Sequence, residues 1–260
     1  MIRLGLIGRK LGHSYSRDLF MARFAALGIE GVYALYEMES IESVREIVRR
    51  DRLDGFNVTI PYKESIIPML DRMDSEAQAI GAVNTVAVSR DMTLTGYNTD
   101  IYGFDAMLTE AAYAHWGCLP VDGCSAVVLG SGGAAKAVVH MLTRHNVGVT
   151  VVSRTVVPRS WTEAAGCRQT TYTQLDSSTL RNADIIVNAT PVGMYPDTEQ
   201  VPAIDYSALS PKTIALDLIY NPAETQFMRL CRKRGAYTDN GRLMLEVQAD
   251  EAWRIWTAAI

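Results

Sequence analysis

Residues 127–142 read VVLGSGGAAKAVVHML, and this stretch limits the fold more than any other part of the chain. A short apolar run stops at Gly130, and an alanine-rich segment with helical spacing begins within a few residues. Gly130, Gly132 and Ala135 fit the spacing G-x-G-x-x-G/A. Glycine at the first position permits a tight turn, and at the second it lets main chain approach a pyrophosphate. A small third residue lets helix lie close on strand, and the helix start offers unpaired N–H groups to an anion. Glycine turns also serve as plain connections, so the weight rests on the strand–loop–helix context. That context predicts a parallel α/β unit that binds a dinucleotide.

The following strand ends at VVSRT. Dinucleotide folds that read NAD often carry Asp or Glu there, to accept from the ribose 2′-OH. This chain has Ser153, Arg154 and Thr155 instead. A guanidinium with hydroxyls suits a 2′-phosphate, which favours NADP. A solvated arginine after a strand is the plainer alternative.

Strands and helices alternate almost throughout. RLGLIG, GVYALYEM and GFNVTI read as strands, with helices over Tyr15–Leu27 and Ile41–Arg49. Two short strands joined at Arg90–Asp91 follow, then a long helix from Asp100 to about Trp116 and a break at Leu119–Gly123. The second series has strands at Ser125–Leu129, Val149–Ser153, Asp184–Ala189 and Thr213–Leu218. Such alternation implies mostly parallel sheets covered on both faces. The expected domain boundary is near residue 101.

The chain's 260 residues suit one large or two moderate domains, and 48% hydrophobic content is enough for full cores. A net charge of -4 gives no reason to expect nucleic acid or an anionic membrane, so local groups must hold any anionic ligand. Cys118, Cys124, Cys167 and Cys231 are scattered, as free thiols in a reducing cytoplasm would be, and no metal site is expected. The N-terminal apolar stretch is interrupted at once by glycine and charge, unlike a signal peptide. No run reaches the roughly 18 apolar residues of a membrane span.

Nine short stretches occur in an order that resembles the shikimate dehydrogenase family. They are GHSYS (12–16), NVTIPYKE (57–64), GAVNTV (81–86), GYNTD (96–100), GSGGAAKA (130–137), SRT (153–155), NATPVGM (188–194), DLIYNP (217–222) and GRLMLEVQADEAW (241–253). Most are modest singly; the ordered set covers the chain and is specific. The resemblance implies an NADP-dependent, cytoplasmic enzyme interconverting 3-dehydroshikimate and shikimate on the route to aromatic amino acids, as a monomer or homodimer. It also implies an N-terminal substrate domain (1–101, completed by C-terminal helices over 240–260), a Rossmann-type NADP domain (102–239) and a cleft between them.

Carried over position by position, the resemblance makes Lys63 and Asp100 the catalytic pair. Ser14 and Ser16 would donate to the substrate carboxylate, and Asn57, Thr59, Asn84 and Gln248 would bond ring hydroxyls beside Tyr220. Gly130, Ser131, Gly132, Gly133, Ala134, Ser153, Arg154, Thr155, Thr190 and Gly241 would hold the cofactor. The chemistry agrees, because a small polyhydroxylated acid needs hydroxyl and amide partners. Plainer roles exist for several: helix capping for the serines, loop tying for Asn84 and Thr59, and a surface ion pair for Lys63 and Asp100. Gln248 borders the packed stripe Leu245, Ala249, Ala252 and Trp256, so it needs a polar partner. Pro61 is suited to begin a helix, which would put Lys63 in its first turn, just past a strand end.

The chain departs from the family at Arg17, where proline is common, and lacks the His-Asn pair usual further into that helix. Lys136 replaces a frequent arginine and Ser153 a frequent asparagine. The alternatives are a broader quinate/shikimate dehydrogenase or a ligand-sensing relative without turnover.

Overall fold

The computed structural model describes residues 1–12, 14–118, 121–156 and 160–259. It divides into two compact units: Met1–Thr99 together with the chain from Gln248 onward, and Asp100–Val247. The first crossing thus falls two residues before the expected 101, and the return falls at 248 rather than 240.

In the first unit, β1 (Ile2–Gly8) is followed by α1 (Tyr15–Leu27), β2 (Gly31–Glu37), α2 (Val44–Asp51) and β3 (Gly55–Val58). Then come β4 (Arg72–Met73), α3 (Ser75–Ile80), β5 (Thr85–Val88) and β6 (Leu94–Tyr97). The left-handed Gly28 (φ 63°) ends α1, its N–H bonding back to Phe24 and Ala25 carbonyls. The strands lie in the order β2-β1-β3-β5-β6-β4. Three of the five pairings are parallel, while β3–β5 and β5–β6 are antiparallel. β5 and β6 are joined by the turn after Ser89, whose N–H bonds the Thr93 carbonyl at 3.1 Å. Both faces are covered: Leu4, Leu6 and Tyr33 pack against Phe20 and Phe24 of α1. Ile7, Phe56, Val58 and Val86 pack against Val44 and Val48 of α2 on the other side.

The helix expected to begin at Pro61 does not form. Residues 60–66 are consecutive turns leading into one 3-10 turn at Ile67–Met69. Pro61 and Pro68 bracket the segment, and Pro68 has no N–H to continue an α-helical ladder. Tyr62 N–H instead closes on the Thr59 carbonyl at 2.9 Å.

The second unit runs α4 (Asp100–Trp116), β7 (Ser125–Leu129), α5 (Gly133–Arg144), β8 (Gly148–Ser153), α6 (Ser160–Ala164) and β9 (Arg168–Thr171). It continues through α7 (Ser177–Arg181), β10 (Ile185–Asn188), β11 (Ile214–Asp217), α8 (Gln226–Arg232) and β12 (Tyr237–Asn240). Part of the expected break at 119–123, residues 119 and 120, lies outside the described residues. The sheet order β12-β11-β10-β7-β8-β9 is wholly parallel. Counted within the unit this is 3-2-1-4-5-6, the Rossmann order, with its switch point between β7 and β10. The edge strands β9 (RQTT) and β12 (YTDN) carry no apolar run, so no hydrophobic pattern announces them.

A single helix, α9 (Arg242–Ala259), begins in the second unit and ends in the first. In the first unit Trp256 anchors it: the buried indole N–H donates to the Val86 carbonyl at 2.9 Å. The ring lies on Gly55, where a Cβ would come within 2.3 Å of it.

Candidate active site

The candidate residues of the first unit gather at the carboxyl end of β3 and the start of β5. Asn57 on β3 stands opposite Thr85 on β5 in the antiparallel register. Its amide N–H groups reach Thr85 Oγ1 at 3.0 Å and the Asn84 carbonyl at 3.2 Å, and its Oδ1 accepts from the Tyr33 hydroxyl at 2.8 Å. Asn84 forms the centre of a buried knot. Its Oδ1 accepts from Thr99 N–H at 2.7 Å and Thr85 Oγ1 at 3.1 Å, while Nδ2 donates to Thr99 Oγ1 at 3.0 Å and Gln248 Oε1 at 2.9 Å. The partner that Gln248 needed is therefore a side chain of its own unit. Leu245, Ala249, Ala252 and Trp256 are buried as the helical stripe requires.

Lys63 lies in the turns after β3, half-buried, and its carbonyl accepts from Val83 N–H at 2.7 Å. Asp100 is buried and opens α4 in the second unit. Thr59 is half-buried, its N–H closing on the Ile7 carbonyl at 2.9 Å. Ser14 occupies the N-cap position of α1, yet its hydroxyl makes no capping hydrogen bond, and Ser16 lies inside the first turn. The preceding loop is tethered by Glu37, whose Oε1 accepts from the N–H groups of Leu11 at 2.8 Å and Gly12 at 3.3 Å. These two bonds hold the Glu37 carboxyl below the usual carboxylate range.

In the second unit the glycine loop sits at the switch point. Gly130 has φ 113°, a left-handed value that excludes other residues, and its N–H bonds the Val152 carbonyl at 2.8 Å. A Cβ on Gly130 would lie 2.9 Å from the Ala189 carbonyl oxygen. At Gly132, by contrast, a Cβ would meet nothing within 4 Å. Protein fills the space beside the first glycine and leaves the second open, which fits a pyrophosphate over the start of α5. Ala135 is fully buried, as the third position requires.

At the end of β8, Ser153 Oγ donates to the Thr155 carbonyl at 2.7 Å, and Arg154 is exposed. Burial pushes the Tyr172 phenol up, and the nearby Arg154 guanidinium pulls it partly back. The residues present thus fit NADP: an open glycine loop, a helix start and an unburied guanidinium where the ribose would end.

Thr190 hydroxyl donates to Asn188 Oδ1 at 2.6 Å and accepts from Val192 N–H at 3.2 Å. Asn188 Nδ2 bonds Asp217 Oδ1 at 3.0 Å. Asp217 is fully buried and also accepts from Ile219 N–H at 3.0 Å and Thr225 Oγ1 at 2.6 Å. Burial nevertheless pushes its pKa up to about 6. Gly241 has a packing reason of its own: a Cβ there would strike the Leu218 carbonyl oxygen at 2.2 Å. Tyr220 is exposed.

No sequence motif assigns a functional role to Tyr33, Thr85, Thr99 or Asp217. Thr85, Thr99 and Asp217 lie inside GAVNTV, GYNTD and DLIYNP, and polar residues next to apolar strand positions are the signal that points to them. Tyr33 gave none beyond the face of its strand. Among the described residues, no three His, Cys, Asp or Glu side chains converge as a metal site. No helix among them is long and apolar enough to cross a membrane.

Residues 6–86 match the shikimate dehydrogenase substrate binding domain. The shikimate dehydrogenase (NADP(+)) of Clostridium beijerinckii is 36% identical over 97% of this chain and 90% of its own length. The Thermus thermophilus shikimate 5-dehydrogenase, solved with NADP(H) and shikimate, superposes with a TM-score of 0.83 at 35% identity, covering 99% of this chain and 94% of that one. The quinate dehydrogenase of Corynebacterium glutamicum, solved with NAD, gives 0.81 at 29% identity, covering 99% and 94%. A chain so similar over its whole length, with an open glycine loop at the switch point of a Rossmann sheet, belongs to the shikimate dehydrogenase family.

Proposed function

We propose that this chain is an NADP-dependent shikimate dehydrogenase, interconverting 3-dehydroshikimate and shikimate. The observation that carries the reading is 36% identity to such an enzyme over 97% of this chain; Lys63 and Asp100 are the pair to which the resemblance gives the catalytic role. NADPH, when bound, supplies the hydride that the C3 carbonyl carbon accepts. A proton must reach the oxygen as negative charge develops on it, and a nearby cation lowers the energy of that charge. Lys63 and Asp100 form the pair that supplies the proton; the Lys63 ammonium stabilises the emerging alkoxide, and Asp100 takes a substrate hydroxyl. Ser14 and Ser16 bind the substrate carboxylate, Asn57, Thr59, Asn84 and Gln248 position the ring hydroxyls, and Tyr220 contributes a further substrate contact. Gly130, Ser131, Gly132, Gly133 and Ala134 take the pyrophosphate, and Ser153, Arg154 and Thr155 take the 2′-phosphate. Thr190 and Gly241 complete the cofactor-binding set.

The enzyme acts on small molecules in the cytoplasm, as a monomer or homodimer. The net charge of -4 gives no pull toward nucleic acid or an anionic membrane, which agrees with a small-molecule substrate. A broader quinate activity with NAD is the second reading, favoured by the similarity to the quinate dehydrogenase. Arg154 and the paired serines weigh against it. The test follows NADPH absorbance on adding 3-dehydroshikimate, then compares shikimate with quinate, each with NADP and NAD. Loss of absorbance and a preference for shikimate with NADP are expected. No change with any pair would overturn the reading.

A further inference from the structure

The Tyr33 hydroxyl has an interaction that bears on specificity. Tyr33 on β2 lies across from Leu4 on β1, and Leu6 on β1 lies across from Asn57 on β3. All four therefore share one face of the sheet, and Tyr33 reaches over β1 to place its hydroxyl 2.8 Å from Asn57 Oδ1. Its ring is fixed by stacking on Phe20, with centroids 4.8 Å apart and planes at 14°. It is 2% exposed.

The orientation of the Asn57 amide follows from its neighbours. The Asn84 main-chain carbonyl can only accept, so the side of the amide facing it must be the NH2 group. The other N–H goes to Thr85 Oγ1. Oδ1 then faces Tyr33, whose hydroxyl must donate. Both amide hydrogens are used, and among the described residues one lone pair of Oδ1 remains. In this state Asn57 can accept a hydrogen bond from a ligand and cannot donate one.

We infer that Tyr33 is a positioning residue that holds Asn57 as an acceptor-only contact, so that the substrate group it meets must be a hydroxyl donating its proton. This rests on the functional reading above, in which Asn57 touches substrate. A plainer role for Tyr33 is that of a core ring whose hydroxyl merely needs a partner, and it predicts a different outcome.

The experiment is a double-mutant cycle of Tyr33→Phe and Asn57→Ala, reading KM and kcat for shikimate at saturating NADP+, with melting temperature alongside. Phenylalanine keeps the stacked ring. Tyr33→Phe should raise KM by roughly 5- to 30-fold, the range for freeing one partner of a neutral hydrogen bond, with the smaller change in kcat. In the Asn57→Ala background the same substitution should change KM hardly at all. Thr85→Val, which removes the other anchor of the amide, should repeat the pattern independently. An equal KM increase with and without Asn57, or a lowered melting temperature with KM intact, would overturn the inference. So would an Asn57→Ala enzyme with unchanged KM. Failure of the functional reading is distinguishable, because the wild-type enzyme would then turn over no shikimate.

Discussion

Each unit contains a buried polar knot, and these two are built from opposite materials. In the first unit Tyr33, Asn57, Asn84, Thr85, Thr99 and Gln248 are all neutral amides and hydroxyls. In the second, Asn188 and Thr225 converge on a carboxylate, Asp217. A neutral knot avoids the desolvation of an ion and does not titrate over the working pH range. A charged one concentrates three donors on one group, yet burial still raises that group's pKa to about 6. The first unit thus holds its candidate substrate residues in a pH-independent frame. The second ties the ends of β10 and β11 with a frame that responds to pH.

The largest effect expected breaks the proposed catalytic pair and spares both frames. Lys63→Ala should lower kcat by roughly 10²- to 10⁴-fold, the range for losing an acid–base group, with NADP affinity and melting temperature little altered. Asp100→Asn should do much the same. The double variant should lose less than the product of the two, because groups acting as a unit are not additive. Steady-state kinetics with chemistry limiting would check this. A Lys63→Ala enzyme keeping about a third of its kcat would return the lysine to the surface charges.

The next effect sharpens the contrast between the knots. Asp217 has a folded pKa of about 6, against 3.8 ordinarily. The folded state therefore binds more protons than the unfolded between these values, and stability from this group falls as pH rises through about 6. The gap between 3.8 and about 6 sets a ceiling of about 3 kcal/mol on that loss. Asp217→Asn should remove the loss, since Oδ1 can still accept from Ile219 and the new NH2 can donate to the Thr225 hydroxyl. Denaturant titrations at pH 4 and pH 7 would show wild-type stability falling relative to the variant. Parallel curves would mean that the three hydrogen bonds offset the burial.

A somewhat smaller effect concerns the cofactor. Arg154 is exposed and held by no ion pair among the described residues, so its removal should cost the fold little. A charge-assisted bond contributes roughly 1.5–3 kcal/mol, so Arg154→Ala should weaken NADP by roughly 10- to 150-fold and leave NAD nearly unchanged. Equal losses for both cofactors, measured by fluorescence titration, would point to a loop defect.

The two regions also differ in how far the sequence disclosed them. The glycine loop is local: strand, turn and helix occupy adjacent residues, so Gly130, Gly132 and Ala135 were legible from spacing alone. The helix over Tyr15–Leu27 and the four central strands of the second unit were legible for the same reason, from apolar periodicity and an end signal. The neutral knot is not local. Tyr33, Asn57 and Gln248 are joined by strand register and by the return of α9, which no short window encodes. The resemblance located Asn57, Asn84 and Gln248, but nothing in the chain announced that Tyr33 orients one of them. At Pro61 a local rule misled, because a proline suited to open a helix was followed by a second at Pro68 that prevented one.

The smallest expected effect lies at the start of α1, where a capping role and a ligand role compete for the same hydroxyl. An N-cap serine that bonds the first turn is worth about 1 kcal/mol. Ser14 holds the cap backbone position with φ -99° and ψ 114°, but its side chain bonds none of those N–H groups. Ser14→Ala should therefore change stability by no more than about 0.5 kcal/mol, as for a site without a special contact. Together with Ser16→Ala it should raise the KM for shikimate by roughly tenfold or more, the scale of hydrogen bonds to a charged group. Shikimate methyl ester, which lacks the charge, should suffer less from the same change. A double variant that loses about 1 kcal/mol of stability while keeping its KM would return both serines to helix capping.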